Sequence, residues 1–327
     1  MNWTGKRVLV TGAGGFIGSH LIERLVELGA NTRAFVHYNA LGSWGWLDHS
    51  PLRGEMTVMA GDICDSDSVR EAMKTIDVVF HLAALIAIPY SYRAPTSYVR
   101  TNIGGTLNVL QAAREIGIER LVHTSTSEVY GTARYVPIDE AHPLQGQSPY
   151  SASKIGADKM AEAFSLSFNL PVVTVRPFNT FGPRQSARAV LPTIMSQCLA
   201  GGTVKLGNLS PTRDLNFVEN TVEGFVMAAS APDAVGHTLN LGSGREISIG
   251  DLARLIATIA GHEITIEMDE ARLRPIGSEV ERLLADNTLA RKLLGWEPSV
   301  SLEEGLHRTL EWMKLNARSY RTNIYAV

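Results

Sequence analysis

Apolar residues in this chain gather into short unbroken runs separated by longer amphipathic stretches. That alternation predicts strands buried on both faces, with helices between them. The β-branched run KRVLVT at 6–11 predicts a first strand, and 16–28 the helix that follows it. Strands are predicted again at 32–36, 56–60 and 78–82, with a helix at 66–75 between the last two. A helix carrying Tyr98, Asn102 and Leu110 leads to a fifth run opened by Leu121 and Val122, and 171–176 predicts a sixth strand. Beyond about residue 180 the strict alternation gives way to shorter pieces. Helices are predicted at 189–200, 221–229, 249–259, 287–294 and 302–315, with a strand at 203–206 and a strand or turn at Arg213 and Asp214. The expected fold is α/β. A doubly wound parallel sheet occupies 1–180, and a smaller C-terminal α/β region, 181–327, lies over it as a substrate lid with some segments returning to the sheet.

The first strand runs directly into GAGGFIGSHL. Gly12, Gly15 and Gly18 allow a tight turn, close approach of backbone N–H groups to a pyrophosphate, and close packing of helix on strand. Phe16 and Ile17 open the helix whose N-terminal dipole favours that negative charge. Strand, glycines and helix in this order point to a Rossmann-type dinucleotide site. An ordinary glycine-rich turn is the alternative. The second strand ends in His37, Tyr38 and Asn39 without the acid that would hold a ribose 2′-hydroxyl, so NAD and NADP both stay open, with His37 a candidate beside a 2′-phosphate. Asp62 and Ile63 end the third strand. Asp62 either accepts from an adenine amine or caps the next helix. Ala83 and Ala84 are small enough for close cofactor approach, His81 reads as a core histidine, and Asn102 reads as a buried hydrogen-bonding residue near the site. Trp44 and Trp46, in the loop 39–53, either anchor that loop to the domain or cover a ligand.

The stretch from Leu121 to Lys154 carries the chemistry. Leu121 and Val122, with Val129 and Tyr130, bracket a polar strand end that holds Thr126, Ser127 and Glu128. Tyr150 and Lys154 stand four apart at the start of a helix and so share one face. A neighbouring ammonium favours phenolate, so Lys154 is expected to pull Tyr150 down from its ordinary value of about 10. Tyr150 is then a candidate base for a sugar hydroxyl, with Thr126 donating a hydrogen bond to the same oxygen. A Tyr-xxx-Lys pair alone is common on helix surfaces. Its meaning here comes from the glycine turn upstream. Tyr90 is placed to touch the sugar, Asn179 and Arg184 lie in an irregular segment at a strand end where ligands bind, and Arg184, Arg213 and Arg274 are candidates for holding a diphosphate, each arginine being by itself an ordinary surface residue otherwise.

Composition narrows the class. With 45% hydrophobic and 19% charged residues and a formal net charge of -3, the 327 residues suit a globular protein and give no electrostatic footprint for nucleic acid. Cys64 and Cys198 have no metal-type spacing and give no sign of a disulfide framework, so no metal is expected and a reducing, cytoplasmic setting is. The start of the chain shows no secretory pattern, and the most apolar stretch, 78–88, is too short to span a bilayer, so no membrane partner is expected.

With GAGGFIGSH, HLAA, HTSTSEVYG, YSASK and RPFNTFGPRQ in register, the chain resembles the extended short-chain dehydrogenases/reductases that act on nucleotide sugars. Within them, Thr126, Ser127 and Glu128 resemble the set of 4,6-dehydratases, and FVHYN, WGWLD and SPTRDLNFVENT look like the N-acetylhexosamine dehydratases of bacterial nonulosonic-acid pathways. The resemblance implies Thr126, Tyr150 and Lys154 as the oxidation set, Glu128 as a further base, and Asn179, Arg213 and Arg274 on the nucleotide diphosphate. It implies a tightly held NAD or NADP regenerated each cycle, an NDP-N-acetylglucosamine (UDP or GDP) substrate, and a homodimer. Ser127 departs from the Asp of many hexose dehydratases. C4 epimerisation and glucuronate decarboxylation are the rival activities, and a nucleotide-sensing protein without turnover is the rival outside enzymes.

Overall fold

The computed structural model describes residues 1–316, so the last part of the 181–327 region lies outside the described residues. Strand β1 (Arg7–Thr11) leads into α1 (Phe16–Glu27), and β2 (Asn31–His37) is joined to β3 (Thr57–Gly61) through a 3-10 turn at Gly45–His49 and another at Arg53–Glu55. Then come α2 (Ser66–Met73), β4 (Val78–His81), the short helices α3 (Ile88–Arg93) and α4 (Pro95–Tyr98), a π-helical turn at Val99–Gly104, and α5 (Gly105–Ile116). Strand β5 (Arg120–Thr124), α6 (Pro149–Phe168) and β6 (Val172–Pro177) complete the sequential part of the main sheet.

That sheet has seven strands, all paired in parallel. Strands β3, β2, β1, β4, β5 and β6 follow one another, and the last place is taken by β10 (Thr238–Leu241), which is introduced below. Every residue of β4 and of β6 is buried, which explains why these runs lack the alternation of a half-exposed strand. Alternate residues still serve opposite faces. Val8 and Val10 enter a core with Leu21 and Leu25 of α1, whereas Leu9 enters another with Met73 of α2 and Val109 and Ala113 of α5. The strand order reverses between β1 and β4, so the crevice at their carboxyl ends is where this architecture binds ligands.

The second region begins with β7 (Asn179–Phe181), α7 (Val190–Ala200), β8 (Gly202–Leu206), β9 (Thr212–Phe217) and α8 (Val218–Ser230). The chain then returns to the main sheet as β10, so the boundary near residue 180 is crossed more than once. Strand β11 (Glu246–Ser248), α9 (Ile249–Ala260), β12 (Ile264–Met268), α10 (Thr288–Leu294) and α11 (Leu302–Leu315) finish the fold. Strands β7, β9 and β11 form one small sheet, and β8 and β12 a parallel pair. Among the described residues no helix is long and apolar enough to cross a membrane.

Asp214 ties these pieces together. Fully buried on β9, its carboxylate accepts from the amides of Ser243 (2.7 Å), Gly244 (2.9 Å) and Ala285 (3.1 Å) and from the Ser243 hydroxyl (2.6 Å). Each amide left unsatisfied in such a place costs about 1–3 kcal/mol. Asp214→Ala is therefore expected to lower stability by about 3 kcal/mol or more in urea unfolding. A loss under about 1 kcal/mol would show that water replaces the carboxylate.

Candidate active site

The turn after β1 has room for backbone alone. Gly12 has φ +71°, and a Cβ there would lie 2.9 Å from the Ala83 nitrogen, while a Cβ on Gly18 would lie 2.3 Å from the Gly12 carbonyl. Gly15 stands at the N-cap of α1 with no side-chain cap, so the first amides of the helix, at Phe16 and Ile17, keep their donors for a ligand. On the other side of the crevice Thr11 Oγ1 accepts from the amides of Leu82 and Ala83, both at 3.1 Å, and donates to His81 Nδ1 at 2.9 Å. His81 Nε2 then bonds Thr106 Oγ1 at 3.0 Å. Burial holds this imidazole well below its ordinary pKa, which makes it a neutral core histidine.

The other cofactor candidates fall around the same edge. Asp62 Oδ1 accepts from the Cys64 amide at 2.9 Å, and the cap of α2 is Asp65, so capping by Asp62 is excluded. Ile63 is buried against Gly105, and Ala83 and Ala84 are half-buried. His37 is exposed at the end of β2. The Trp loop anchors to the domain: the Trp46 amide donates to the Gly14 carbonyl at 3.0 Å and its ring meets Trp312 edge-on at 5.4 Å. A glycine cradle that any Cβ would fill, uncapped helix amides and small residues opposite together fit a dinucleotide.

Strand β5 does not continue to Val129 and Tyr130 as the apolar pattern predicts. After Thr124 the backbone turns into a 3-10 helix at Ser127–Tyr130, capped by Thr126, whose Oγ1 accepts from the Glu128 amide at 3.3 Å. The apolar pair is buried in a core beneath the turn, and the tight helix carries Glu128 on its half-buried side. Helix α6 begins at a capping box of Ser148 and Ser151 with Pro149 in the first turn, which puts Tyr150 at its start. The Tyr150 hydroxyl is hydrogen-bonded to Thr126, and the Glu128 carboxylate acts on it by charge. Lys154 Nζ donates to the Thr124 carbonyl at 2.6 Å.

The electrostatics correct one expectation. Burial pushes the Tyr150 phenol above its ordinary pKa, the Thr126 bond opposes, and Glu128, Tyr98 and Asp158 push further up. Lys154 is not among the groups that act on the phenol: its nitrogen is engaged with the Thr124 carbonyl, and burial has brought its own pKa down to about 8, which leaves it an ammonium at neutral pH. The chain's own groups thus keep Tyr150 a neutral phenol at rest.

Asn102 fixes the neighbourhood. It lies in the π-helical turn, 1% exposed, where Oδ1 accepts from the Leu85 amide (2.8 Å) and Nδ2 donates to the Leu85 carbonyl (2.9 Å) and Ser153 Oγ (2.9 Å). Ser153 in turn donates to the Tyr150 carbonyl at 2.7 Å, so one side chain joins the loop after β4 to α6. An extra residue in a helical turn is a frequent device at functional sites. Rings line the entrance: exposed Tyr90 stands 6.2 Å from Tyr98, which meets Tyr150 edge-on at 6.3 Å.

The arginines divide. Arg213 (6% exposed) and Arg274 both approach Glu279 Oε1, at 3.5 and 3.7 Å, and the Glu128 charge also acts on Arg213. Arg274 Nη1 and Asn179 Oδ1 are buried polar atoms without hydrogen-bond partners. Arg184 is elsewhere: at φ +71° it holds Glu23 of α1 bidentately, at 2.9 and 3.1 Å, beside His20. It clasps the loop after β7 to α1 and is not one of the cations around Glu279. Glu279 was invisible to sequence reasoning, because nothing local marks a carboxylate shared by two arginines distant from each other along the chain.

A glycine cradle after β1, the Tyr150–Lys154 pair on α6 and two arginines around Glu279 make up the candidate site. The model of the family described as GDP-mannose 4,6 dehydratase matches residues 9–309, and the chain belongs to that family of nucleotide-sugar dehydratases and epimerases. It is 35% identical over 315 residues to the UDP-glucose 4-epimerase of Mycolicibacterium smegmatis, covering 94% of this chain and 98% of that protein. An epimerase structure from Methanothermobacter thermautotrophicus superposes with a TM-score of 0.89 at 32% identity, covering 97% of this chain and 94% of that one. The dTDP-glucose 4,6-dehydratase of Streptomyces venezuelae, solved with NAD and TYD bound, superposes with a TM-score of 0.87 at 27% identity, covering 96% and 99%.

Beneath the pair, Asp158 of α6 accepts from Ser125 Oγ (2.7 Å), His123 Nε2 (3.0 Å) and Arg176 Nη2 (3.0 Å). Burial raises this carboxyl, but the His123 bond and the charges of Arg176 and Lys154 outweigh it and hold the pKa at about 2. Because the folded value lies below the ordinary 3.8, the stability Asp158 contributes is complete above pH 3.8 and is lost as pH falls through about 2. Asp158→Asn is expected to cost about 3–5 kcal/mol at neutral pH by leaving Arg176 unpaired. The gap in unfolding free energy between the two proteins should narrow below pH 3.8, and a gap constant down to pH 2 would count against this assignment.

Proposed function

We propose that the chain binds NAD or NADP and a nucleoside-diphosphate hexose, NDP-N-acetylglucosamine with uridine or guanosine as base, and dehydrates it across C4 to C6. Gly12, Gly15, Phe16, Ile17, Gly18, Asp62, Ile63, Ala83 and Ala84 would hold the dinucleotide, and Arg213, Arg274 and Asn179 the diphosphate. The observation that carries the reading is Glu128: its carboxylate has no hydrogen-bond or ion-pair partner among the described residues, yet its charge reaches both the Tyr150 phenol and Arg213. A base between the oxidised carbon and the diphosphate is what removal of the C5 proton requires.

When bound, the nicotinamide supplies a hydride acceptor for C4 and a donor for C6, so the cycle has no net redox change. Tyr150 acts as phenolate, its own proton having first passed to solvent, and takes the proton of the C4 hydroxyl while Thr126 bonds that oxygen; the ketone formed acidifies C5–H. Glu128 removes that proton. The C6 hydroxyl leaves as water on the proton Glu128 took from C5, passed directly or through Ser127, and C5 takes a fresh proton from solvent in the 4-keto-6-deoxy product.

Epimerisation at C4 is the second reading, favoured by Ser127, which offers no carboxyl for C6, and by the 35% identity to a protein named as an epimerase. It needs Tyr150 and Lys154 but leaves Glu128 without a task. Glucuronate decarboxylation calls for a cation at the sugar carboxylate, and the loop after β4 offers Arg93, exposed in the last turn of α3. We read the assembly as a homodimer through α5 and α6, whose ends expose Ile116 (42%), Leu166 (77%) and Phe168 (44%). The free Cys64 and Cys198 suit a cytoplasmic setting.

Proton NMR of UDP- and GDP-N-acetylglucosamine with enzyme in D2O tests the reading. A C6 methyl signal with deuterium at C5 is expected, and a C4-inverted sugar alone would establish epimerisation instead. Glu128→Gln should lower dehydration about 100-fold or more while C4 oxidation persists as reduced-nicotinamide absorbance. Tyr150→Phe should abolish that absorbance as well. Unchanged turnover in Glu128→Gln would remove its role as C5 base.

A further inference from the structure

Lys154 and Asp158 lie four residues apart on α6, on one face of the helix, and both are buried, at 5% and 4% exposure. The groups facing Lys154 are Tyr150 and Asp158 on its own helix, His123 on β5, His81 on β4 and, beyond Asp158, Arg176 on β6. Burial keeps both histidines neutral, so neither adds a positive charge against the Lys154 ammonium. His123 spends its Nε2 proton on Asp158, and its Nδ1 has no hydrogen-bond partner. The Thr124 carbonyl accepts from a lysine nitrogen in either protonation state, so it fixes where the nitrogen sits more than what charge it bears.

An ammonium this deep sheds its proton unless a negative group stands by it. Asp158 is the one charge that acts on Lys154 to hold the proton there. Arg176 bonds the same carboxylate from its other side, through Nε at 3.3 Å and Nη2 at 3.0 Å, and so takes up part of its field. We propose that Asp158 is a positioning residue for the oxidation pair, the buried countercharge that keeps Lys154 an ammonium beside Tyr150, with Arg176 setting how much of that charge Lys154 receives. The proposal rests on the proposed function only in giving Lys154 its task next to Tyr150. The charge relation needs no substrate. Its consequence is a working pH ceiling: with burial having brought Lys154 down to about 8, loss of the Asp158 charge would leave a neutral amine at neutral pH.

The test is a pH titration of the protein labelled with 13Cε-lysine. There are seven lysines, and the Lys154 signal is assigned by its loss in Lys154→Arg. Asp158→Asn should move the Lys154 midpoint to lower pH by about one unit or more, and Asp158→Glu should restore it. Arg176→Gln, which frees the carboxylate from its competing cation, should move the midpoint the other way. A lesion that merely loosens the helix would not give shifts of opposite sign. An unmoved midpoint in Asp158→Asn, in protein whose fold is verified by circular dichroism, overturns the proposal. Should that variant not fold, an Arg176→Gln midpoint that fails to rise overturns it. If the midpoints move as expected while the wild type turns over no nucleotide sugar, the functional reading falls and the role of Asp158 stands.

Discussion

One carboxylate under α6 governs how the site is assembled. Asp158 meets Ser125 and His123 from β5 and Arg176 from β6, so the helix is bonded to two adjacent strands at a point one turn beyond Lys154. Rotation of α6 about its axis would break all three contacts at once. Lys154 is thereby aimed at the Thr124 carbonyl and Tyr150 at Thr126. Arg176 extends the constraint through Tyr130 (2.9 Å) to Asn240 on β10 (2.7 Å), so the edge strand contributed by the second region belongs to the same network. Polar groups so deeply buried are tolerable because nearly all of them are satisfied, and they impose a unique arrangement that apolar packing alone would not.

The main sheet was legible in the sequence because its strands are buried on both faces and its helices are amphipathic, and both leave marks that a local window detects. The return of the chain as β10 left only a weak mark, TLNL, too short to place beside β6 without the tertiary structure. The 3-10 turn at Ser127–Tyr130 was misread for a related reason. Val129 and Tyr130 are as apolar as a strand interior demands, but their burial comes from a separate small core under the turn. Periodicity reports that a residue is buried and is silent on which element buries it.

Individual side chains followed the same logic. Tyr150 and Lys154 were found because helical spacing makes their proximity a local fact, and Asp158 carried that signal too at the next interval of four. Asn102 was recognisable as a polar residue inside an apolar helix. Arg184 and Glu279 lay beyond such reasoning, since Arg184 meets Glu23 from 161 residues away and Glu279 joins the nearby Arg274 to Arg213, 66 residues away. The charge of Tyr150 could not be read either: spacing sets which groups meet, whereas burial, a property of the whole fold, decides which of them ionise.

The wide turn at Val99–Gly104 gives the site a dependence of another kind. A π-helical turn holds one residue more than the α-helix on either side, and each residue advances a helix by about 100°. Loss of any single residue there would let the segment relax into a regular helix. The residues on either side would keep nearly their present bearing toward Val109 and Ala113 in the core, because the extra residue is absorbed within the turn itself. What would be lost is the widened turn itself, from which Asn102 reaches Leu85 and Ser153. The place of Asn102 beside the start of α6 is thus written in chain length as well as in residue type.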